Sequence, residues 1–182
     1  MQLTASNRAG ILISTSLSGV IIMKHFFESD HIRFVAVSEQ LANDYLEMVN
    51  DEKNYTSSTG GKVKNYTLEQ EFNWVHKKLE EKALVFSMIE KASGKFIGNI
   101  ELMDPTDSCG ELGIAITAKM QNLGFGTEAV VALTEYAIHQ LGMKRVFLRT
   151  NPKNSRAIHV YQKCGYKEYD RTDEHVYMEW SR

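Results

Sequence analysis

Residues 121–129 read Gln-Asn-Leu-Gly-Phe-Gly-Thr-Glu-Ala, and no other stretch limits the fold as much. A β-rich run at 111–117 precedes it. The best helical pattern in the chain follows at 127–141, with Val130, Leu133, Ala137 and Leu141 in phase and Gly142 as the expected stop. Glycines at a helix entrance let backbone N–H groups approach an anion without a Cβ in the way, and the helix N-terminus adds about half a positive charge. A phosphate or pyrophosphate is the natural occupant. Gly124-Phe-Gly126-Thr-Glu-Ala129 also fits the dinucleotide pattern G-x-G-x-x-G/A. That pattern needs a βαβ unit and an acidic residue closing the next strand. Here the next strand ends at Thr150-Asn151 without a carboxylate, and an antiparallel meander stands where a parallel sheet is required. A Rossmann-type site is disfavoured. The Gly-Lys-Ser/Thr of a P-loop is absent, so nucleotide hydrolysis has no support.

The rest of the chain switches between two periods. Residues 32–37 read as a short strand, and Ser38 then caps a helix carrying Leu41, Tyr45, Met48 and Val49 at helical spacing. Residues 51–66 are polar with a Gly-Gly pair, a loop long enough to be functional. Thr67-Leu-Glu-Gln70 is a capping box that opens a second helix with an apolar stripe of Leu68, Phe72, Val75 and Leu79. The period then shortens to two. Runs at 83–90 and 95–102 are joined by a turn at Lys91-Ala-Ser-Gly94, and the run at 111–117 is the third. After the long helix come a strand at 144–150, a short helix at 154–164 closed by Gly165, and strands at 166–169 and 175–180. The pattern describes one mixed α/β domain, α+β-like, whose sheet begins as an antiparallel meander.

Composition agrees with one globular domain: 182 residues, 43% hydrophobic, with 21 Lys+Arg against 23 Asp+Glu. The resulting charge of −2 argues against a strongly basic nucleic-acid binder. Cys109 and Cys164 are too few for a disulfide framework and match no metal spacing, and the six histidines supply neither an i,i+4 pair nor HExxH. No metal site is expected, and two reduced thiols suit the cytoplasm. Residues 1–22 stand apart, with no acidic residue and a lone Arg8. Their apolar stretch is too short and interrupted for a membrane span of about 20 residues. Met23-Lys24-His25 follows it in place of a small-residue cleavage site. The expected organisation is an N-terminal extension over 1–22 and a single domain over 23–182, with Met23 as an alternative start.

A second constellation follows the strand at 144–150. Asn154, Ala157 and Tyr161 recur at steps of three and four on one face of a short helix, which Gly165-Tyr166 ends. The two stretches together resemble the GCN5-related N-acetyltransferase (GNAT) superfamily. The likeness is greatest to its branch of RimJ/RimL-type ribosomal-protein N-terminal acetyltransferases and spermidine N-acetyltransferases. Gln121-x-x-Gly124-x-Gly126 fits the superfamily's Q/R-x-x-G-x-G/A motif. Asn154-x-x-Ala157-x-x-x-Tyr161-x-x-x-Gly165-Tyr166 fits its second motif, with Tyr166 where Phe is commoner, and 111–116 looks like the branch's fourth strand. The likeness runs from Ile32 to Trp180.

The resemblance implies the GNAT fold, an antiparallel strand meander followed by a splayed parallel strand pair with flanking helices. It implies acetyl-CoA as co-substrate, with Ile114, Ala115 and Ile116 offering strand backbone to the pantetheine arm. Gln121, Asn122, Leu123, Gly124, Phe125, Gly126 and Thr127 would wrap the pyrophosphate, Asn154 would face the cofactor, and Tyr161 would protonate the departing thiolate. The implied partners are acetyl-CoA and an amine acceptor, with no nucleic acid or membrane and with a homodimer left open.

The implied reaction is direct attack of a neutral amine on the thioester. At pH 7 an acceptor of pKa about 10.4 is neutral to about 4 parts in 10⁴, a penalty of roughly 4.6 kcal/mol. An α-amine near 7.8 is about 15% neutral and loses only about 1 kcal/mol. A lysine or polyamine acceptor therefore needs a base, or a desolvating site, more than an N-terminal acceptor does. Glu111 and Glu101, at the ends of two neighbouring strands, are the base candidates, against the plain reading of ion-paired carboxylates. Cys164 lies one helical turn from Tyr161 with no histidine evidently paired, which favours packing over covalent catalysis. A protein N-terminus is slightly favoured as acceptor over a polyamine or another small amine. A non-catalytic acyl-CoA-binding module is the alternative of a different class. Selectivity is expected from the 51–66 loop and the helices it joins.

Overall fold

The computed structural model describes residues 23–52 and 65–181. The expected extension at 1–22 and most of the 51–66 loop lie outside the described residues. Among the described residues, eight strands form one sheet: β1 (His25–Glu28), β2 (Ile32–Ala36), β3 (Leu84–Glu90), β4 (Phe96–Met103), β5 (Cys109–Ile116), β6 (Arg145–Thr150), β7 (Lys167–Arg171) and β8 (Val176–Ser181). Their order is β1-β2-β3-β4-β5-β6-β8-β7, antiparallel throughout except for β5 and β6. The meander and the parallel pair are therefore both present. The pattern of period two does not reveal β1, which is short and only half-buried. Its Phe27 ring stacks between Phe34 at 4.2 Å and Tyr136 at 4.3 Å, and that aromatic column holds the strand to the sheet.

Among the described residues, four helices flank the sheet: α1 (Ala42–Asn50), α2 (Leu68–Glu80), α3 (Phe125–His139) and α4 (Ser155–Lys163). Successive side chains of a strand point to opposite faces. In β3 this sends Phe86 and Met88 into the core shared with α3 and α4, while Val85 and Ile89 join Tyr45, Met48 and Val75 under α1 and α2. Both faces are covered, which explains why β3 reads as a nearly continuous apolar run. Each fully buried residue of the α3 stripe, such as Val130 or Leu133, contributes about 1.5–3 kcal/mol by leaving water.

Two local features position the site. At Gly98 the strands β4 and β5 approach so closely that a Cβ would lie 2.0 Å from the Ala115 carbonyl oxygen. No other residue type fits there without moving β5. The second feature is the setting of α2. Its capping box is formed, Thr67 Oγ1 accepting from the Gln70 N–H at 3.3 Å and Gln70 Oε1 from the Thr67 N–H at 2.8 Å. The buried face differs from the expected stripe: Glu71 and Val75 are buried, Trp74 packs beside them, and Leu79 is 47% exposed. Trp74 turns the helix this way because its large ring makes an edge contact with Tyr45 at 5.4 Å.

Candidate active site

The parallel ladder between β5 and β6 is short. It pairs Cys109 with Arg145, Gly110 with Val146 and Glu111 with Phe147, and then stops. Past Glu111, β5 pairs only with β4, as far as Ile116 opposite Gly98. The gap opens into a cleft of about 1380 Å³. Typical small-molecule sites hold about 300–1,000 Å³, so this one has room for two reactants. Ile114, Ala115 and Ile116 line it, with Ala115 exposed at its floor. Polar backbone groups on a strand edge without a ladder partner seek other partners, and an amide-bearing pantetheine arm fits that need.

The turn after β5 is built to approach an anion. Asn122 and Gly124 both adopt left-handed backbone, φ 62° and 89°, and Gly124 is the N-cap of α3. Such turns aim successive N–H groups into a concavity at the positive end of the helix. A Cβ on Gly126 would sit 3.4 Å from Ile116 Cδ1, so the bare glycine lets the first turn of α3 lie against β5. Gln121 acts as a strut: its Nε2 donates to the Ile116 carbonyl at 3.0 Å and its Oε1 accepts from the Arg156 guanidinium at 2.8 Å. Gln121, Asn122, Gly124, Gly126 and Thr127 line the cleft. Leu123 and Phe125 do not. The Leu123 side chain is 62% exposed outside the cleft and the Phe125 ring is buried in the core, so neither side chain lines it.

Asn154 lines the cleft, and its side chain also has a structural duty, Oδ1 accepting from the Ala157 N–H as the N-cap of α4. Lys153 and Arg156, which the motif reading passes over, line the same mouth and bring positive charge beside the glycine turn. Their spacing around Asn154 on a helix entrance was the available signal.

Tyr161 and Tyr166 lie side by side, ring centroids 6.2 Å apart, and differ in one respect. Thr134 uses its hydroxyl hydrogen on the Val130 carbonyl at 2.7 Å, so Tyr166 must be the donor in their 2.6 Å contact. That buried hydrogen bond accounts for tyrosine in place of phenylalanine. Tyr161 is 8% exposed, lines the cleft, and has no hydrogen-bond partner for its hydroxyl among the described residues. Burial, with the Cys164 charge adding to it, pushes its pKa up to about 12. It therefore keeps its proton at any physiological pH. The Cys164 thiol, pushed up to about 11 by burial, donates weakly to the Thr127 carbonyl at 3.6 Å. A protonated, engaged thiol is a packing group.

Both base candidates face the cleft, and both hold a cation. Glu101 is paired with Lys78 at 2.9 Å and Glu111 with Arg149 at 3.1 Å. These partners come from α2 and β6, far off in sequence, and no local motif signals them. Among the described residues, no group of three or more His, Cys, Asp or Glu is placed to hold a metal ion, and no helix is long and apolar enough to cross a membrane.

A strand pair splayed beside a glycine-gated helix N-terminus, with a tyrosine lining the same cleft, is the architecture of a CoA-dependent acyltransferase. A family model described as "Acetyltransferase (GNAT) domain" matches residues 31–167. The chain belongs to the GNAT acetyltransferases, a family whose co-substrate is acetyl-CoA. It is 25% identical over 93 residues to a spermidine N(1)-acetyltransferase of Vibrio cholerae serotype O1, a match over 50% of this chain and 54% of that protein. The chain thus spans about half the length of this curated relative. The fold is similar to a solved Bacillus anthracis GNAT acetyltransferase, with a TM-score of 0.73 and 18% identity over 87% of this chain and 97% of that one. It is also similar to a Vibrio cholerae spermidine N-acetyltransferase solved with CoA and spermine, TM-score 0.74, 18% identity, covering 84% and 96% of the two chains. A Vibrio cholerae protein provisionally assigned as a ribosomal-protein-serine acetyltransferase matches with a TM-score of 0.68 and 14% identity, over 88% of this chain and 100% of that one.

Proposed function

We propose that this chain is an N-acetyltransferase that moves the acetyl group of acetyl-CoA to a primary amine by direct attack. Acetyl-CoA supplies an activated thioester. The β5 edge from Ile114 to Ile116 would hold its amide-bearing arm, and the turn from Gln121 to Thr127 would bind its pyrophosphate through backbone N–H groups, with Lys153 and Arg156 adding charge. The observation that carries the reading is the Tyr161 hydroxyl: buried, protonated, facing the cleft and engaged with no described group. Its proton is available to a thiolate leaving group, whereas the Tyr166 hydroxyl is committed to Thr134.

For the acceptor, a protein N-terminus and a polyamine or other small amine are the two classes to weigh. The cleft wall carries Glu71, Glu101, Glu111, Asp173 and Glu174, and this acidic lining favours an acceptor that carries positive charge beyond the reacting amine. The name of the curated relative agrees with that preference. The test is thiol release from acetyl-CoA across a panel of peptides, polyamines and free amino acids. Turnover with at least one amine is expected. Saturable CoA binding with no turnover on any amine would instead mark a non-catalytic acyl-CoA-binding module.

A further inference from the structure

Among the described residues only four polar or charged side chains are buried: Glu71, Ser87, Thr134 and Thr150. Glu71 is the only one of them that carries charge. Ser87 is satisfied by a chain in which Tyr45 donates to it at 2.7 Å and it donates to Asn99 at 3.0 Å, and Thr134 by the Val130 and Tyr166 contacts. The Glu71 carboxylate, 6% exposed, has no hydrogen bond or ion pair among the described residues. Burial is the one influence on its pKa, pushing it up, with no cation to offset it. An unpaired buried carboxylate is costly, and an apolar residue of similar size would be cheaper at that site.

The setting of α2 makes the cost conspicuous. An apolar stripe through Leu68, Phe72, Val75 and Leu79 was available, yet the helix turns Glu71 inward and leaves Leu79 exposed. A helix needs no buried acid for its dipole, since Glu69 in the same turn is exposed and serves that purpose. Glu71 lines the cleft with Tyr45 and Trp74, whose rings meet edge to face. A carboxylate beside aromatic rings is the chemistry that receives an alkylammonium group. Of the other acidic residues on the cleft, Glu101 and Glu111 hold Lys78 and Arg149, and Asp173 and Glu174 are exposed to water, which leaves Glu71 as the buried carboxylate without an internal counter-ion.

We infer that Glu71 receives a charged ammonium group of the acceptor, remote from the amine that is acetylated, so that the preferred acceptors are alkyl amines bearing a second positive charge. The reacting amine must be neutral to attack, so a carboxylate that holds a cation serves the other end of the molecule. The inference rests on the amine-acetyltransferase reading, and Glu71 acts here as a specificity-determining residue.

The test compares 1,4-diaminobutane and spermidine with n-butylamine, which has the same four-carbon arm and no second charge. Kinetics are measured on the wild type and on Glu71→Gln and Glu71→Asp, together with acceptor binding by calorimetry in the presence of CoA. Glu71→Gln is expected to raise the KM for diamines about tenfold or more, to leave n-butylamine and acetyl-CoA KM unchanged, and to keep or raise Tm. Glu71→Asp, which retains the charge, is expected to recover part of the diamine affinity. A diamine KM unchanged in Glu71→Gln, equal losses for mono- and diamines, or a fall in Tm of several degrees would each overturn the inference while leaving amine acetylation standing. Diamine binding that depends on Glu71 without turnover of any amine would sink the enzyme reading and support the ammonium site.

Discussion

Glu71 and Glu128 hold the same position, the fourth residue, on two helices whose first turns both border the cleft. Their fates are opposite. Glu128 on α3 accepts from the Ser29 hydroxyl at 2.7 Å and the His31 N–H at 2.7 Å, and pairs with the His31 ring at 3.0 Å. Burial alone would raise its pKa, but these hydrogen bonds outweigh that and hold the carboxyl below the usual range. Glu71 on α2 has none of this support, and burial raises its pKa unopposed. Beside the glycine turn, the charge of Glu128 is used within the protein to fix the turn between β1 and β2. On the cleft wall, Glu71 carries a charge that the described residues leave uncompensated. On the function proposed above, that difference separates a surface for one constant co-substrate from one that selects among amines.

The largest stability effect that would break this contrast belongs to Glu128→Gln. Losing the anionic acceptor of three contacts should cost about 1–3 kcal/mol, read as a lower denaturant midpoint. A neutral outcome would mean that the clasp between the β1–β2 turn and α3 carries no weight. Gly124→Ala comes next. A Cβ at Gly124 meets nothing within 4 Å, so the cost is the left-handed conformation itself, about 1–2 kcal/mol, with a higher KM for acetyl-CoA and an unchanged KM for the amine. A change in amine KM alone would dissociate the turn from the cofactor.

The smallest effect is a matter of pH. Glu128 has a lowered folded-state pKa, so its stabilisation is present above the unfolded value of about 4.3 and lost as pH falls through the folded value. Glu71 has a raised one, so its contribution is present below the unfolded value and lost as pH rises through the folded one. Thermal unfolding of the two Gln variants across the acid-to-neutral range should show opposite trends. The Glu128→Gln deficit shrinks toward acid, while Glu71→Gln gains on the wild type toward neutral pH. Parallel trends would remove the contrast.

The glycine-turn side of the cleft was legible because it is made by backbone. Gly124, Gly126 and the Asn154–Tyr161 spacing are local patterns, and a turn at a helix N-terminus has only a few uses. The meander and the parallel pair could be read for the same reason, from β-rich runs and one long helix between strands. The α2 side of the cleft was not legible. Glu71 sits in a stretch where the apolar residues offered a different stripe, and the choice was made by the contact between Trp74 and Tyr45 across two helices. Lys78 and Arg149 reach Glu101 and Glu111 from distant elements, so no spacing announces those pairs. β1 escaped because four half-buried residues give too little alternation, and only Tyr136 and Phe34 explain its place.

The most direct measurement is the steady-state kinetics of Tyr161→Phe with acetyl-CoA and the best amine of the panel. Removing only the hydroxyl should lower kcat about 10²-fold or more, with the acetyl-CoA KM and CoA affinity nearly unchanged and no loss of Tm, since the hydroxyl bonds no described group. Because burial holds this tyrosine at about 12, its own ionisation should not limit the wild-type rate below about pH 11. Equal losses in turnover and acetyl-CoA binding, or no loss of turnover at all, would contradict its role as the proton donor.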